Sequence, residues 1–347
     1  MKVLLIKTSS LGDLLHTLPA LTDAAAAIPD IKFDWVVEEG FAEIPAWHPA
    51  VDRIIPVAIR RWRKSILKTL FSGEWGQFKK ELKQRPYDLI IDAQGLIKSA
   101  LITKVASNTQ QHCKRVGLDS DSAREPFASR FYDRAIKVEK GEHAIIRLRK
   151  LFAQALNYPL PTTSPNSAIH HHATAVDAKT ILFIHGTTWV TKHWPESYWI
   201  ELARLVTAEG FHIMLPWGSE VERQRAEKIA AAANERGRAT VLPKLTLTEL
   251  KEKFQQASAM VAVDSGLAHL GAALAIPSVT LYGATDPKRT GTFGKDQKPL
   301  ISDLNCSPCL KRSCSYKGKS SVTPACFETI TPKVVLSALN VDSRLYL

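Results

Sequence analysis

No stretch of this chain approaches the roughly 18 to 20 uninterrupted apolar residues that a membrane-spanning helix requires. The run Val3-Leu4-Leu5-Ile6, bracketed by Lys2 and Lys7, is too short for the apolar core of a secretory signal. The chain is therefore expected to stay in the cytosol. Cysteine is sparse, five in 347 residues, which excludes a disulfide-built scaffold. Aromatic residues make up only 8%, and no RRM, zinc-finger or helix-turn-helix signature occurs, so nucleic acid is not expected as a partner.

What is present is ordinary globular material, 45% hydrophobic and 23% charged, in a chain longer than the roughly 250 to 300 residues at which one hydrophobic core stops growing. Two domains are expected. Net charge is +12 and spread over both halves, which favours an anionic partner, and charge alone does not choose among nucleic acid, an acidic membrane surface and a phosphorylated substrate. Short apolar runs alternate with helical patterns, the mark of parallel βαβ units. Strands are expected at 3–6, 33–37 and 88–92, then at 181–185, 212–217, 240–242, 260–264 and 279–282, with helices from about Leu14, Leu96 and His143 and further helices in the second half. Thr246-Leu247-Thr248-Glu249 is a capping box, and Pro195 suits a first helical position. Between the halves, residues 159–178 hold prolines and small polar residues without periodicity and read as a linker, giving domains at 1–158 and 179–347.

Ligands of open α/β sheets sit beyond the carboxyl ends of the strands, so the residues following each apolar run carry the information. After the first run comes Lys7-Thr8-Ser9-Ser10-Leu11-Gly12-Asp13, which lacks both the dinucleotide fingerprint and the P-loop lysine motif. Asp13 fits a capping box with Ser10, and it also fits a base; the residues alone leave both open. Asp92-Ala93-Gln94-Gly95 leads to Lys98, a cation on an incoming helix. Arg60-Arg61-Trp62-Arg63-Lys64 gathers four cations around one aromatic, a solvated face or a grip for phosphates and carboxylates. His185-Gly186-Thr187-Thr188, followed by Lys192, offers amides, hydroxyls and a point charge to a phosphate. Asp264-Ser265-Gly266 with His269 is again strand, turn and helix, readable as an N-cap pair or as a ligand loop.

The combination of "VLLIKTSSLGDLLHTLPAL", "HGTTWVTKHWP" and "VDSGLAHLGAALAIPSVTLYGATDP" resembles glycosyltransferase family 9, the lipopolysaccharide heptosyltransferases, over nearly the whole chain. The first motif resembles the branch that adds the first heptose more than the branch that adds the second. The resemblance implies the GT-B fold, two Rossmann-like doubly wound domains facing across a cleft, with acceptor on the first and nucleotide sugar on the second. It implies inverting transfer of L-glycero-D-manno-heptose from ADP-heptose to a Kdo sugar of Kdo2-lipid A. Asp13 then becomes the general base, although a helix dipole that suits a cap weakens a base. Thr187, Thr188 and Lys192 would hold the departing diphosphate, Lys192 also serving catalysis, and Glu222 would meet the adenosine ribose. Asp264, Ser265, Gly266 and His269 would line the donor site. Arg60, Arg61 and Lys64 would engage the acidic acceptor, with Lys7 and Lys98 assisting. Fixed cations rather than a bound metal are expected to meet the leaving charge, so no cofactor is required beyond the substrate itself. The basic surface would hold the enzyme peripherally on the cytoplasmic face of a Gram-negative inner membrane. The second-heptose enzyme, an epimerase of like fold and a nucleotide-sugar binder without turnover are the alternatives; a binder would not need Asp13.

Two features stand outside this chemistry. Cys306-x2-Cys309-x4-Cys314-x11-Cys326 gathers four of the five cysteines. The first spacing suits zinc and the others are irregular, so free buried thiols are preferred to a structural zinc site. The tract His170 to His172 has ligand chemistry but no second ligand cluster, and is expected to be inert.

Overall fold

Val3-Leu4-Leu5-Ile6 is continuously buried, as a central strand covered on both faces of a parallel sheet must be. It lies in β1 (Lys2–Ile6). The computed structural model describes residues 1–64, 72–107, 113–169, 176–233 and 237–339. The chain divides into two units, Met1–Ile169 and His170–Leu347. The division falls within 159–178, and the histidine tract 170–172 lies outside the described residues.

In the first unit, β1 is joined by β2 (Lys32–Glu38), β3 (Val51–Val57), β4 (Leu89–Asp92), β5 (Lys114–Leu118) and β6 (Arg134–Ile136). All pairs are parallel and the order is β3-β2-β1-β4-β5-β6. The second unit holds β7 (Asp177–Ile184), β8 (His212–Leu215), β9 (Ala239–Val241), β10 (Ala257–Val263), β11 (Ser278–Tyr282) and β12 (Gln297–Ile301) in the order β12-β11-β10-β7-β8-β9, again all parallel. Counted along its own chain, each sheet has the Rossmann permutation 3-2-1-4-5-6.

Four strands carry no clear signal in the sequence: β3, β5, β6 and β12. Three of them are sheet edges. An edge strand faces a neighbour on one side only, so it tolerates Pro56 in β3 and Pro299 in β12, and its apolar alternation is weak. Lys114 and Arg115 open β5 and mask the short apolar end that follows. The linker expectation also reaches too far, since residues 177 and 178 already belong to β7.

Helices pack on these sheets through the faces their periodicity provides. Ala144–Leu156 buries Ile145, Leu148, Leu151, Phe152 and Leu156, is capped by the His143 side chain, and ends at Asn157 in the left-handed conformation (φ 59°). A bidentate ion pair from Arg149 to Asp23, with Nε 2.5 Å from Oδ2, ties it to helix Leu18–Ala27, and the same guanidinium donates to the Pro161 carbonyl. Both partners are buried, so removing either one would strand a charge at a cost of about 3 to 5 kcal/mol. In the second unit Trp194 and Trp199 meet edge to face at 5.0 Å, and Trp194 donates to the Ile330 carbonyl. The Thr246 capping box forms as its residues indicate, the Thr246 N–H reaching Glu249 Oε2 at 2.7 Å.

His48 illustrates how this packing sets a pH dependence. Its Nδ1 accepts from the Ala50 N–H at 3.1 Å and its Nε2 lies 3.0 Å from Thr22 Oγ1. Burial, aided by Lys32, pulls its pKa down to about 4. The unfolded chain binds this proton first, so the stabilisation is intact above about pH 6.5 and is lost as pH falls toward 4. Hydrogen exchange of β2 and β3 amides at pH 7 and 4.5 should show an acid loss about 2 to 3 kcal/mol larger in the parent than in His48→Gln. Equal losses in the two proteins would remove His48 from this role.

Candidate active site

Parallel strands deliver their following loops to one edge of each sheet, and the motif residues lie on those loops. After β1, Lys7 turns inward and is 7% exposed, with Nζ donating to the Ala93 carbonyl at 2.9 Å. Burial pulls its ammonium below the ordinary lysine range, while Asp13 and Asp92 act in the opposite direction. The loop is held from both sides. Gln94 Oε1 accepts from the N–H groups of Thr8 and Ser9 at 3.0 and 3.3 Å, and the Trp35 indole donates to the Lys7 carbonyl.

Asp13 stands in the first turn of helix Leu11–Leu15 and is half-buried. Its Oδ2 accepts from both the N–H and the hydroxyl of Ser10, at 2.7 and 2.9 Å. Oδ1 takes no hydrogen bond among the described residues. The cap therefore occupies one oxygen of the carboxylate and leaves the other for a further partner.

Asp92, at the end of β4, is a buried carboxylate that organises the adjoining loop. Its Oδ1 accepts from the N–H groups of Gln94 and Gly95, and its Oδ2 accepts from the Tyr132 hydroxyl at 2.7 Å. Burial pushes its pKa up, against these hydrogen bonds. Gly95 has φ +66°, the left-handed turn that lets the next helix, Ile97–Ser107, begin. Lys98 is half-buried on that helix. Gln94 bridges two loops, a role not evident from the sequence, where it reads only as a turn residue beside a glycine.

The basic cluster is less free than its composition indicates. The Arg60 N–H donates to buried Glu38, and its guanidinium lies over the Phe41 ring at 5.2 Å. Arg61 grips Glu39 through Nε and one terminal nitrogen, and Glu74 through the other. Trp62 also donates to Glu74, at 2.6 Å. Arg61 is thus a tie between neighbouring elements, already flanked by two carboxylates, whereas Lys64 is exposed.

In the second unit, Asp264 is the hub. Its carbonyl accepts from Thr187 Oγ1 at 3.1 Å, and its Oδ2 meets Lys192 Nζ at 2.7 Å and the Thr285 hydroxyl at 2.5 Å. His269 Nε2 is 3.8 Å from Oδ1. The structure therefore gathers Thr187, Lys192, Asp264 and His269, and adds Thr285 from the "LYGATDP" stretch. Ser265 caps helix Gly266–Ala273 through its side chain, with the Ala268 N–H as donor. Gly266 opens that helix, and Thr188 is exposed on the preceding loop. Lys192 Nζ also lies 4.6 Å from the centre of the Trp189 ring. Glu222 Oε2 accepts from the N–H groups of Gly218 and Ser219, and its Oε1 lies so close to Gly186 that a Cβ there would come within 2.5 Å. A side chain at position 186 would push that carboxylate out of its present place. Beneath this loop His185 is wholly buried and its pKa is pulled down to about 3 by burial, so it stays neutral.

The cysteines depart from the expected burial. Cys306 and Cys314 are exposed, Cys309 and Cys326 are partly covered, and all are free thiols. Segment 302–324 has no helix or strand in which to bury them. Among the described residues no group of three or more His, Cys, Asp or Glu is arranged to hold a metal ion.

Two Rossmann-like units, one with a carboxylate loop and the other with a hydroxyl-and-lysine loop, share the architecture of the two-domain GT-B glycosyltransferases, as the likeness to solved heptosyltransferase structures shows. The model of glycosyltransferase family 9 (heptosyltransferase) matches residues 75–320. Lipopolysaccharide heptosyltransferase 1 of Pseudomonas aeruginosa is 53% identical over 351 aligned positions, covering 98% of this chain and 97% of that protein. The solved structure of E. coli heptosyltransferase WaaC with ADP superposes with a TM-score of 0.80 at 46% identity, over 86% of this chain and 92% of that one. The same enzyme with ADP-2-deoxy-2-fluoro heptose gives 0.78 at 46% identity, over 87% and 93%. The chain belongs to glycosyltransferase family 9, the heptosyltransferases.

The Gln94 bridge makes a direct prediction. Gln94→Ala should leave the fold intact yet speed amide exchange at Thr8 and Ser9 by about tenfold, the loss expected for one hydrogen bond of ~1.4 kcal/mol. Unchanged exchange at both positions would show that the loop is held by other contacts.

Proposed function

We propose that this enzyme transfers L-glycero-D-manno-heptose from ADP-heptose to a Kdo residue of Kdo2-lipid A, with inversion, and so adds the first heptose of the lipopolysaccharide inner core. The observation that carries the reading is the presence of both chemical loops in one chain, a carboxylate with one oxygen open and a cation-and-hydroxyl cluster suited to a diphosphate. A nucleotide-sugar binder would need only the second. The resemblance to a lipopolysaccharide heptosyltransferase 1 along 98% of the chain supports the choice of donor and acceptor.

In the proposed reaction the acceptor hydroxyl attacks the anomeric carbon of the heptose and gives its proton to Asp13 Oδ1 as the new C–O bond forms. The anomeric C–O bond to phosphate breaks, and ADP leaves carrying the electron pair. Lys192 exchanges Asp264 for the diphosphate, joined by the hydroxyls of Thr187 and Thr188, so that positive charge is in place before negative charge develops. Asp264, Ser265, Gly266 and His269 line the sugar and phosphate positions, and Glu222 receives the ribose hydroxyls. On the acceptor side Arg60 and Lys64 meet the acidic groups of the acceptor. Lys7 and Lys98 shape the field around Asp13, and Arg61 acts through its tie to Glu39 and Glu74.

A positioned base contributes roughly 10²- to 10⁴-fold. Asp13→Ala should therefore lower turnover of ADP-heptose with Kdo2-lipid A at least ~100-fold while leaving the calorimetric affinity for ADP unchanged. Retained turnover would move the base elsewhere. Turnover by the parent only on an acceptor already carrying one heptose would instead favour the second-heptose reaction.

No helix among the described residues is long and apolar enough to cross a membrane. With a net charge of +12, the proposed location is the cytoplasmic face of the inner membrane, held by anionic lipid. The protein should float with anionic vesicles at low ionic strength and separate from them in 1 M salt, where the Debye length is about 3 Å. Salt-resistant flotation would require an apolar anchor in place of charge.

A further inference from the structure

Segment 302–324, between β12 and the short turn Ala325–Phe327, has no helix or strand. A structureless connection of this length inside a compact domain usually carries function. This one is strapped across the donor loops at several points. Ser307 Oγ donates to the Gly283 carbonyl at 2.5 Å, the Leu310 N–H donates to the Ala284 carbonyl at 2.8 Å, and Thr191 Oγ1 donates to the Lys311 carbonyl at 2.6 Å. Cys326 Sγ fills the space over Gly283, where a Cβ would come within 2.5 Å of it. Gly283 and Ala284 lead directly into Thr285, which holds Asp264, and Thr191 precedes Lys192. The strap thus rests on the two loops that bring Lys192 and Thr285 to Asp264.

It brings one side chain with it. The Arg312 guanidinium lies 5.3 Å from the centre of the Trp189 ring, the same ring that Lys192 Nζ approaches at 4.6 Å. Both cations are therefore gathered about one indole, within about a Debye length of each other at physiological salt. Their commitments differ. Lys192 is paired with Asp264, whereas Arg312 has no carboxylate partner among the described residues. A guanidinium held over an aromatic ring makes no hydrogen bond to it through a carboxylate-type acceptor, so its planar fork of N–H donors stays suited to phosphate oxygens.

We propose that Arg312 is a second diphosphate-binding cation of the donor site, delivered by the strap and held ready on Trp189. This rests on the reading of the second unit as the ADP-sugar site. It gives the cysteine-bearing segment a part in donor binding, and it distinguishes two cations by timing: Arg312 is open to a diphosphate from the outset, and Lys192 joins when it leaves Asp264.

Calorimetric titration with ADP and with adenosine, on the parent, Arg312→Ala, Arg312→Lys and Lys192→Ala, tests this. Arg312→Ala should weaken ADP about 3- to 10-fold and leave adenosine unchanged, with Arg312→Lys recovering part of the loss because charge remains and the planar fork does not. If Lys192→Ala weakens ADP but Arg312→Ala does not, the Arg312 assignment is wrong and the donor site stands. Equal weakening of ADP and adenosine by Arg312→Ala would mean a loosened strap, and would overturn the charge role. If Lys192→Ala binds ADP as the parent does, the donor-site reading fails and the proposal fails with it.

Discussion

Parallel pairing is the constraint on which everything else in this protein depends. Each sheet has six strands running one way, so each loop that follows a strand emerges at the same edge. Both units answer the resulting concentration of polar backbone with the same device, a buried carboxylate at the end of the fourth strand of the sheet. Asp92 follows this rule after β1, β2 and β3, and Asp264 follows it after β7, β8 and β9. Asp92 collects two loop amides and a tyrosine hydroxyl. Asp264 collects a lysine and two threonine hydroxyls, one of them through its carbonyl. Burying a carboxylate is unfavourable unless its oxygens are satisfied, so each of these residues fixes its neighbours as firmly as its neighbours fix it.

The two domains then diverge in what that fixed edge presents. Around Asp92 the result is a rigid frame for the β1 loop, in which Gln94 holds Thr8 and Ser9 and the Ser10 cap aims Asp13. The hub at Asp264 instead holds Lys192 in an ion pair, so in the proposed reaction that pair must open before the lysine can meet a diphosphate. Were Lys192 to leave, the Asp264 carboxylate would keep the Thr285 hydroxyl and have His269 3.8 Å away, and a buried charge that loses its partner is costly.

The basic excess is likewise unevenly available. Arg61 is flanked by Glu39 and Glu74, Arg149 is buried against Asp23, and Arg225 sits 2.8 Å from the His193 ring. Cations open to an anionic partner are those that stack on aromatic faces or stand exposed, among them Arg60, Lys64 and Arg312. A net charge of +12 thus describes the long-range field of the molecule, while carboxylate pairing decides which guanidinium groups can act as ligands.

Much of this was written in the sequence. Central strands were legible because a strand covered on both faces must be apolar throughout, and the ligand loops were legible because they follow such strands directly. Asp13 was visible both as a cap and as a candidate base, since Ser10 stands three residues before it. Three of the four edge strands were not legible, because a half-paired strand carries no such compositional demand and even admits proline. Nor could spacing along the chain show that Gln94 bridges two loops, that Thr285 holds Asp264, or that Arg312 reaches the ring beside Lys192 on a segment whose Lys311 carbonyl meets Thr191, 120 residues away. Local chemistry, caps, turns and apolar periods are properties of neighbours in sequence, so the sequence determined them. Which oxygen of Asp13 is capped, which arginines are already paired and which distant threonine supports a carboxylate are properties of neighbours in space, and only the folding of the parallel sheets decided them.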